Sequence, residues 1–273
     1  FRSCRLSAVG SDVVSDVAVL VPACGDLGTK TLGPAPLFSG DPLALPVGGR
    51  LAIDLVREYY ATELPNARIV LALDADAFRR TWWRPLTACT RIDVGPTASI
   101  CDTIARALDR LDEAFVIVNP ITTIPTACLH PHAAIGLGRE AIHRENWSAV
   151  AFDERGTPAF HHRDAERSGE DPRPAFPFTG LLSAPREALQ RHLRGIVGPE
   201  RGDLLHLAER LHDDDGDDDA CACEFAFTEW IDAGHRETHA RSRQAAITSR
   251  AFNRIGFLAG GTLVEKRSRE RRR

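Results

Sequence analysis

Methionine is missing from all 273 residues, position 1 included, so wherever one has been left out of the written chain a motif spacing is short by one. No continuous apolar run is long enough to span a bilayer, and the N-terminus lacks a basic-then-apolar leader pattern. Both absences predict a protein that is neither membrane-inserted nor secreted. No charge of one sign prevails: the formal net charge is -4, which gives no general attraction to nucleic acid or to an anionic membrane, so any anion binding has to be local. The cysteines do not pair off. They number seven, are scattered, and mostly sit inside apolar runs, which predicts reduced thiols of a cytoplasmic protein and not a disulfide frame. Cys221-Ala-Cys223 has no second Cys or His pair at a matching distance, and alternation along a strand explains it as well as a metal site does. Neither GxxxxGK[ST] nor GxGxxG occurs, and no internal repeat is visible.

The composition that is present, 43% hydrophobic and 26% charged, suits a globular chain able to bury a core without staples, as one large α/β domain or two small ones. "VAVLVPA" (17 to 23) is a Val-rich run closed by the glycine-bearing loop "CGDLGTKTLGP", the pattern of a buried parallel strand leading into a ligand loop. "RLAIDLVREYY" has apolar residues at helical spacing, "RIVLAL" (68 to 73) is a second buried strand, and "FRRTWWRPL" predicts a short helix broken near Pro85. "ASICDTIARALDRLDEA" carries an amphipathic stripe with Thr97 placed to cap it, and "FVIVNP" (115 to 120) is a third buried strand. Strand, helix, strand, helix, strand predicts parallel crossovers with ligands at the carboxyl ends of the strands. Further on, "SAVAFDERGTPAFHH" predicts strands about a turn at Glu154-Arg155-Gly156, "AFPFTGLLSA" another strand, and "PREALQRHL" a helix with proline in its first turn. The acidic block "DDDGDDD" (213 to 219) lacks the fixed offsets of a calcium loop and predicts an exposed loop.

Two stretches suggest chemistry. In Cys24-Gly25-Asp26-Leu27-Gly28-Thr29-Lys30 the glycines allow backbone N–H groups to approach a phosphate, and Lys30 supplies a point charge. In "EWIDAGHRETHARSRQAAITSRAFNRI" (229 to 255) Asp232, His235, Arg241, Arg243 and Arg250 lie close together behind an apolar run. Two readings are open for the second stretch: a solvated helix whose surface charges contribute little, or a carboxylate and cations presented to a phosphate-rich ligand. His130 and His132 are a further pair able to hold a transition metal.

In order, "VLVPACGDLGTK", "DPLALPVGGRLAIDLV", "GPTASICDTIARALDRLDEAFVIVNP", "FTGLLSA" and "EWIDAGH" cover most of the chain. This series resembles the sugar-nucleotide pyrophosphorylase type of nucleotidyltransferase, and within it the capsule-biosynthesis kind fused to a kinase-like domain. Trp230, Asp232, Gly234, His235, Thr238, Ser242, Arg243, Ser249, Arg250, Phe252, Asn253, Lys266 and Ser268 fit the junction of such proteins. The resemblance implies a three-layer α/β/α, Rossmann-like fold of the glycosyltransferase-A kind with a mostly parallel mixed sheet. It implies a nucleotidyltransferase-like domain over 1–248, with 249–273 as linker or the start of a truncated kinase-like domain. The partners it implies are a nucleoside triphosphate, a phosphorylated acceptor such as a sugar phosphate, and a fused kinase-like domain or a further copy of the chain.

The implied reaction joins the triphosphate to that acceptor for capsule or surface-polysaccharide biosynthesis and releases pyrophosphate, with Mg2+ bridging phosphate oxygens. Asp232 matches the family's second metal-binding aspartate, and Lys30, His235 and Arg250 stand with it as the catalytic set. Ala23, Gly25, Gly28, Thr97 and Ser99 fall where the family contacts the nucleotide. Gly180, in Phe178-Thr179-Gly180-Leu181, falls on the strand that lines the acceptor pocket, and Glu170 falls where an acidic residue meets sugar hydroxyls.

The chain departs from this pattern at three places, the first being Lys30, which stands where the first loop usually carries an arginine. Asn119-Pro120-Ile121-Thr122-Thr123 carries no carboxylate where the first metal aspartate belongs, and Leu43 and Ala44 stand where a phosphate lysine is expected. A non-catalytic nucleotide-binding or scaffolding domain is therefore the competing expectation. A glycosyltransferase is a second one, because Asp74-Ala75-Asp76 is an Asp-x-Asp motif, although it follows the second strand and not a deeper one.

Overall fold

The structure is a computed structural model that describes residues 16–24, 41–47, 50–75, 89–125, 133–139, 148–162, 174–194, 196, 203–213, 223–228 and 230–233. The first half runs β1 (Val17–Pro22), a 3-10 turn (Pro42–Ala44), the hairpin β2 (Pro46–Val47) and β3 (Arg50–Leu51), α1 (Ala52–Glu63), β4 (Arg68–Leu73), β5 (Thr90–Asp93), α2 (Ile100–Leu108) and β6 (Phe115–Val118). The second half adds β7 (Thr123–Pro125), β8 (Ala134–Gly138), β9 (Ala149–Phe152), β10 (Pro158–His161), β11 (Ala175–Pro185), α3 (Arg186–Leu193), α4 (Leu204–His212), β12 (Glu224–Thr228) and β13 (Trp230–Asp232).

Nine of the described strands form one mixed sheet, in the order β10-β9-β11-β6-β1-β4-β5, with β8 also on β11 and β12 on β8. β1 pairs in parallel with β4 and β6, and β4 with β5. β11 runs antiparallel to β6, β8 and β9, so the second half extends the sheet in the opposite sense. The parallel strands read as near-continuous apolar runs because helices cover both their faces. Ala18 and Leu20 point to the side of α2, α3 and α4, while Val19 and Val21 point to the side of α1. Alternation along a strand thus divides β1 between two cores and produces the three layers expected.

Locally the predicted elements form where the apolar period requires them. α1 buries Ile53, Leu55, Val56, Tyr59 and Tyr60, and the Arg50 guanidinium forks onto the Glu58 carboxylate from the strand before it. The predicted turn between β9 and β10 is tied by Asp153, whose Oδ1 accepts from Arg155 and Thr157 N–H, with Gly156 at φ 81°. β5 has no counterpart among the sequence expectations: its only buried residue is Ile92, too little for a period to show. α3 begins after Pro185, which is its N-cap and not part of its first turn. The single apolar run "EFAFTEWI" divides into β12 on the main sheet and β13, which pairs with β7 instead. The helix expected around Pro85, the acidic block beyond Asp213, His130, His132 and the whole of 249–273 lie outside the described residues.

Candidate functional site

β1 is the strand at which the connections change direction: the chain leaves it towards β4 and β5 on one side and returns to β6 on the other. In an open α/β sheet the crevice at the carboxyl ends beside such a strand is where ligands lodge. The β1 end of that crevice is held by two hydrogen bonds to β4, from Ala23 N–H to Ala72 O at 2.9 Å and from Cys24 Sγ to Ala72 O at 3.5 Å. Ala23 is buried and Cys24 half-buried. Gly25, Gly28 and Lys30, which follow, lie outside the described residues.

Beside Cys24 stands the turn that opens α2. Gly95 takes φ 70°, a left-handed conformation that glycine adopts without strain, and its N–H donates to Asp93 Oδ1 at 2.8 Å. The helix start is closed reciprocally: Asp102 N–H donates to Ser99 Oγ at 3.1 Å, and Ala98 N–H donates to Asp102 Oδ2 at 3.0 Å. Ser99 is thus the cap, one of the two hydroxyl residues of the expected turn. Thr97, expected to cap, instead accepts from Thr103 Oγ1 at 2.9 Å. The Cys24 thiol is pushed above its ordinary pKa, chiefly by burial; hydrogen bonding with Thr103 and Thr97 works against this, and the Asp74 carboxylate adds to it. These interactions bring Ala23, Thr97 and Ser99 to one corner of the crevice. They also add Cys24, Asp74 and Thr103, which the motifs did not single out as site residues. Sequence signals existed for Cys24, as the first residue of the glycine loop, and for Asp74, in its Asp-x-Asp context, and none for Thr103.

The other flank is built at the end of β6. Asn119 is fully buried, and its N–H continues the ladder to Leu20 O of β1 at 2.9 Å. Its Oδ1 accepts from Tyr60 Oη at 3.0 Å, and its Nδ2 donates to Pro120 O and Thr123 O, both at 2.8 Å. Thr123 Oγ1 donates to Thr179 O at 2.7 Å, and Thr179 Oγ1 donates to Gly136 O at 2.9 Å. Gly180 follows at φ 80°, where an added Cβ would stand 2.8 Å from Pro120 Cγ. Asp232 lies opposite Thr123 in the β7–β13 pair. Directly opposed residues of an antiparallel pair project to the same face, so Asp232 shares the Thr123 face towards Thr179 and Gly180. The intervening pair, Ile124 and Ile231, enters the core on the α1 side.

Asp232 is 9% exposed and is the carboxylate that the described residues bring to this end of β6. The carboxamide oxygen of Asn119 is already engaged by Tyr60. A donor set of one carboxylate fits Mg2+, which keeps several waters and takes one or two carboxylates together with substrate phosphates instead of a full protein cage. His235, Arg250 and Glu170 lie outside the described residues.

No protein-family model matches the sequence, and a search of curated proteins finds no match. Solved structures do match in fold. A structure assigned as a glucose-1-phosphate thymidylyltransferase from Bacillus anthracis, in complex with sucrose, is 13% identical with a TM-score of 0.62, over 87% of this chain and 99% of that one. The UTP-bound UGPase from Acinetobacter baumannii is 12% identical with a TM-score of 0.58, over 89% and 98%. HddC from Yersinia pseudotuberculosis is 14% identical with a TM-score of 0.55, over 84% and 98%. At these identities the likeness establishes the fold: the α/β nucleotidyltransferase fold with a mostly parallel mixed sheet. Among the described residues no helix is long and apolar enough to cross a membrane.

Proposed function

We propose that this chain is a nucleotidyltransferase that joins a nucleoside triphosphate to a phosphorylated small molecule, a sugar phosphate in kind, in surface-polysaccharide or capsule assembly. The observation that carries the reading is convergence at one sheet edge. The first residues of the glycine loop meet the capped turn of α2 at β1, and Asp232 lies opposite Thr123, whose hydroxyl donates to Thr179 O, beside the end of neighbouring β6. The fold shared with the thymidylyltransferase-assigned structure and the UTP-bound UGPase supports the same kind of reaction.

In this reading Gly25 and Gly28 let main-chain N–H groups reach the phosphates, Thr97 and Ser99 border the nucleoside, and Gly180 and Glu170 border the acceptor. An acceptor phosphate oxygen attacks the α-phosphorus, the bond from that phosphorus to the bridging oxygen breaks, and pyrophosphate leaves. Lys30, His235 and Arg250 offer cations to the charge that develops on the leaving oxygens. Magnesium, when bound, spreads the charge of the triphosphate oxygens; Asp232 is the residue that would hold it. The catalytic unit is residues 1–248.

A second reading, nucleotide binding without turnover, is favoured by Asn119, whose three hydrogen bonds commit it to structure where the resembling family carries a carboxylate. Thermal-shift measurements with the four common nucleoside triphosphates, with and without magnesium, followed by pyrophosphate release with sugar 1-phosphates, separate the two. The enzyme reading expects a magnesium-dependent shift and pyrophosphate release. In Asp232→Ala it expects the shift to vanish and the rate to fall by about two to three orders of magnitude. A shift without pyrophosphate supports the second reading, and no shift with any triphosphate sinks both.

A further inference from the structure

We propose that His162, Asp203 and His206 form a binding site for a divalent transition cation of the zinc kind, which fastens the end of β10 to the first turn of α4. One ligand atom from each of the three lies within 4.8 Å of the others. A tetrahedral ion with bonds of about 2.0–2.1 Å needs donors about 3.3–3.5 Å apart, so side-chain rotations of order 1 Å close the set.

The spacing has a local origin. Asp203 is the N-cap of α4 and His206 lies one turn on, at i+3, with Glu209 a further three residues along the same face. His162 arrives from the edge strand opposite. The two oxygens of Asp203 serve different partners. Oδ1 accepts from Leu205 N–H as the helix cap, while Oδ2 takes the Ser148 hydroxyl at 3.3 Å and faces His162 Nδ1 at 3.9 Å. That separation is beyond hydrogen-bond length, and His162 Nδ1 is buried without a hydrogen bond. On the far side of the ring, Glu209 Oε2 stands 3.5 Å from His162 Nε2. A carboxylate on one ring nitrogen holds the proton there and leaves the other nitrogen's lone pair to a metal.

The two imidazoles stack with centroids 3.8 Å apart at 23°. The lone pairs lie in the ring planes, so a shared ion requires one ring to turn out of the stack, and the bound state is expected to lose this stacking. Two imidazoles and a carboxylate select zinc, cobalt or nickel over magnesium. A cavity of about 380 Å³ lined by Ile196, His206, Glu209, Arg210 and Asp213 reaches the cluster at His206.

The test uses the full chain, freed of metal by a chelator, titrated with Zn2+ and separately with Co2+ in the presence of millimolar magnesium. The expected results are one high-affinity site per chain, a raised melting temperature, and the visible absorption of tetrahedral cobalt. Asp203→Asn keeps the helix cap and His206→Gln keeps the helix; each is expected to fold without metal and to weaken zinc at least about a hundredfold. Glu209→Gln, which acts through His162, is expected to weaken it about tenfold. Absence of stoichiometric zinc or cobalt binding in the parent chain overturns the site. So does undiminished binding in the folded Asp203→Asn and His206→Gln proteins, which would place the ion elsewhere. Nucleotide binding takes no part in any of these readouts, so they are independent of the proposed transfer reaction.

Discussion

At the end of β6, Asn119 gives both hydrogens of its carboxamide to main-chain carbonyls and accepts a third hydrogen bond from Tyr60. A carboxylate of the same shape there would set negative oxygens against the carbonyls of Pro120 and Thr123 in a site with no access to water. Asn119→Asp is therefore expected to destabilise the chain by roughly 2–5 kcal/mol, seen as a lower urea midpoint with unchanged slope. An unchanged midpoint would show that the network does not hold the β6 end. The sequence exposes the missing acid at this position but not what replaces it. The partners of Asn119 lie 59 residues upstream at Tyr60 as well as immediately downstream, and no local pattern announces the distant one. Asp232 is legible only through its Trp-x-Asp-x-Gly setting; its facing of Thr123 comes from a strand pairing more than a hundred residues apart.

Among the elements, α2 shows how far local signals reach. Its stripe of Ile104, Ala107 and Leu108 is readable at period 3.6 and is buried as expected. Its cap is not Thr97 as expected, because two hydroxyl residues two positions apart can each accept from the first-turn N–H groups. The structure selects Ser99 through the reciprocal bond of Asp102 three residues on, and turns Thr97 towards Thr103. Ser99→Ala is expected to cost about 1 kcal/mol and Thr97→Ala clearly less, a ranking that chemical denaturation of the two variants checks. If Thr97→Ala cost more, the cap assignment would be reversed. β5 and the break between β12 and β13 stay hidden for another reason: strands of three to five residues with mixed burial carry no resolvable period.

For the whole molecule, the parallel order of β1, β4 and β6 and the two-sided helical cover follow from buried apolar runs alternating with amphipathic stretches. The way the second half joins the first does not, because it depends on β11. That strand pairs with β9 near its start, with β8 through its middle, and with β6 over Leu182–Pro185. Leu181, Leu182 and Ala184 are fully buried along it. It is the shared rail on which both flanks of the chain are mounted. Native-state hydrogen exchange should find the amides of residues 181–184 among the last to open, at the free energy of global unfolding. Protection there well below the global value would mean that the two halves melt apart. Because the same strand carries Gly180 at the crevice and leads directly into α3, any substitution that loosens its register displaces that side of the crevice and the helical layer in one motion, so damage to the proposed transfer reaction and loss of folded protein should travel together along this strand.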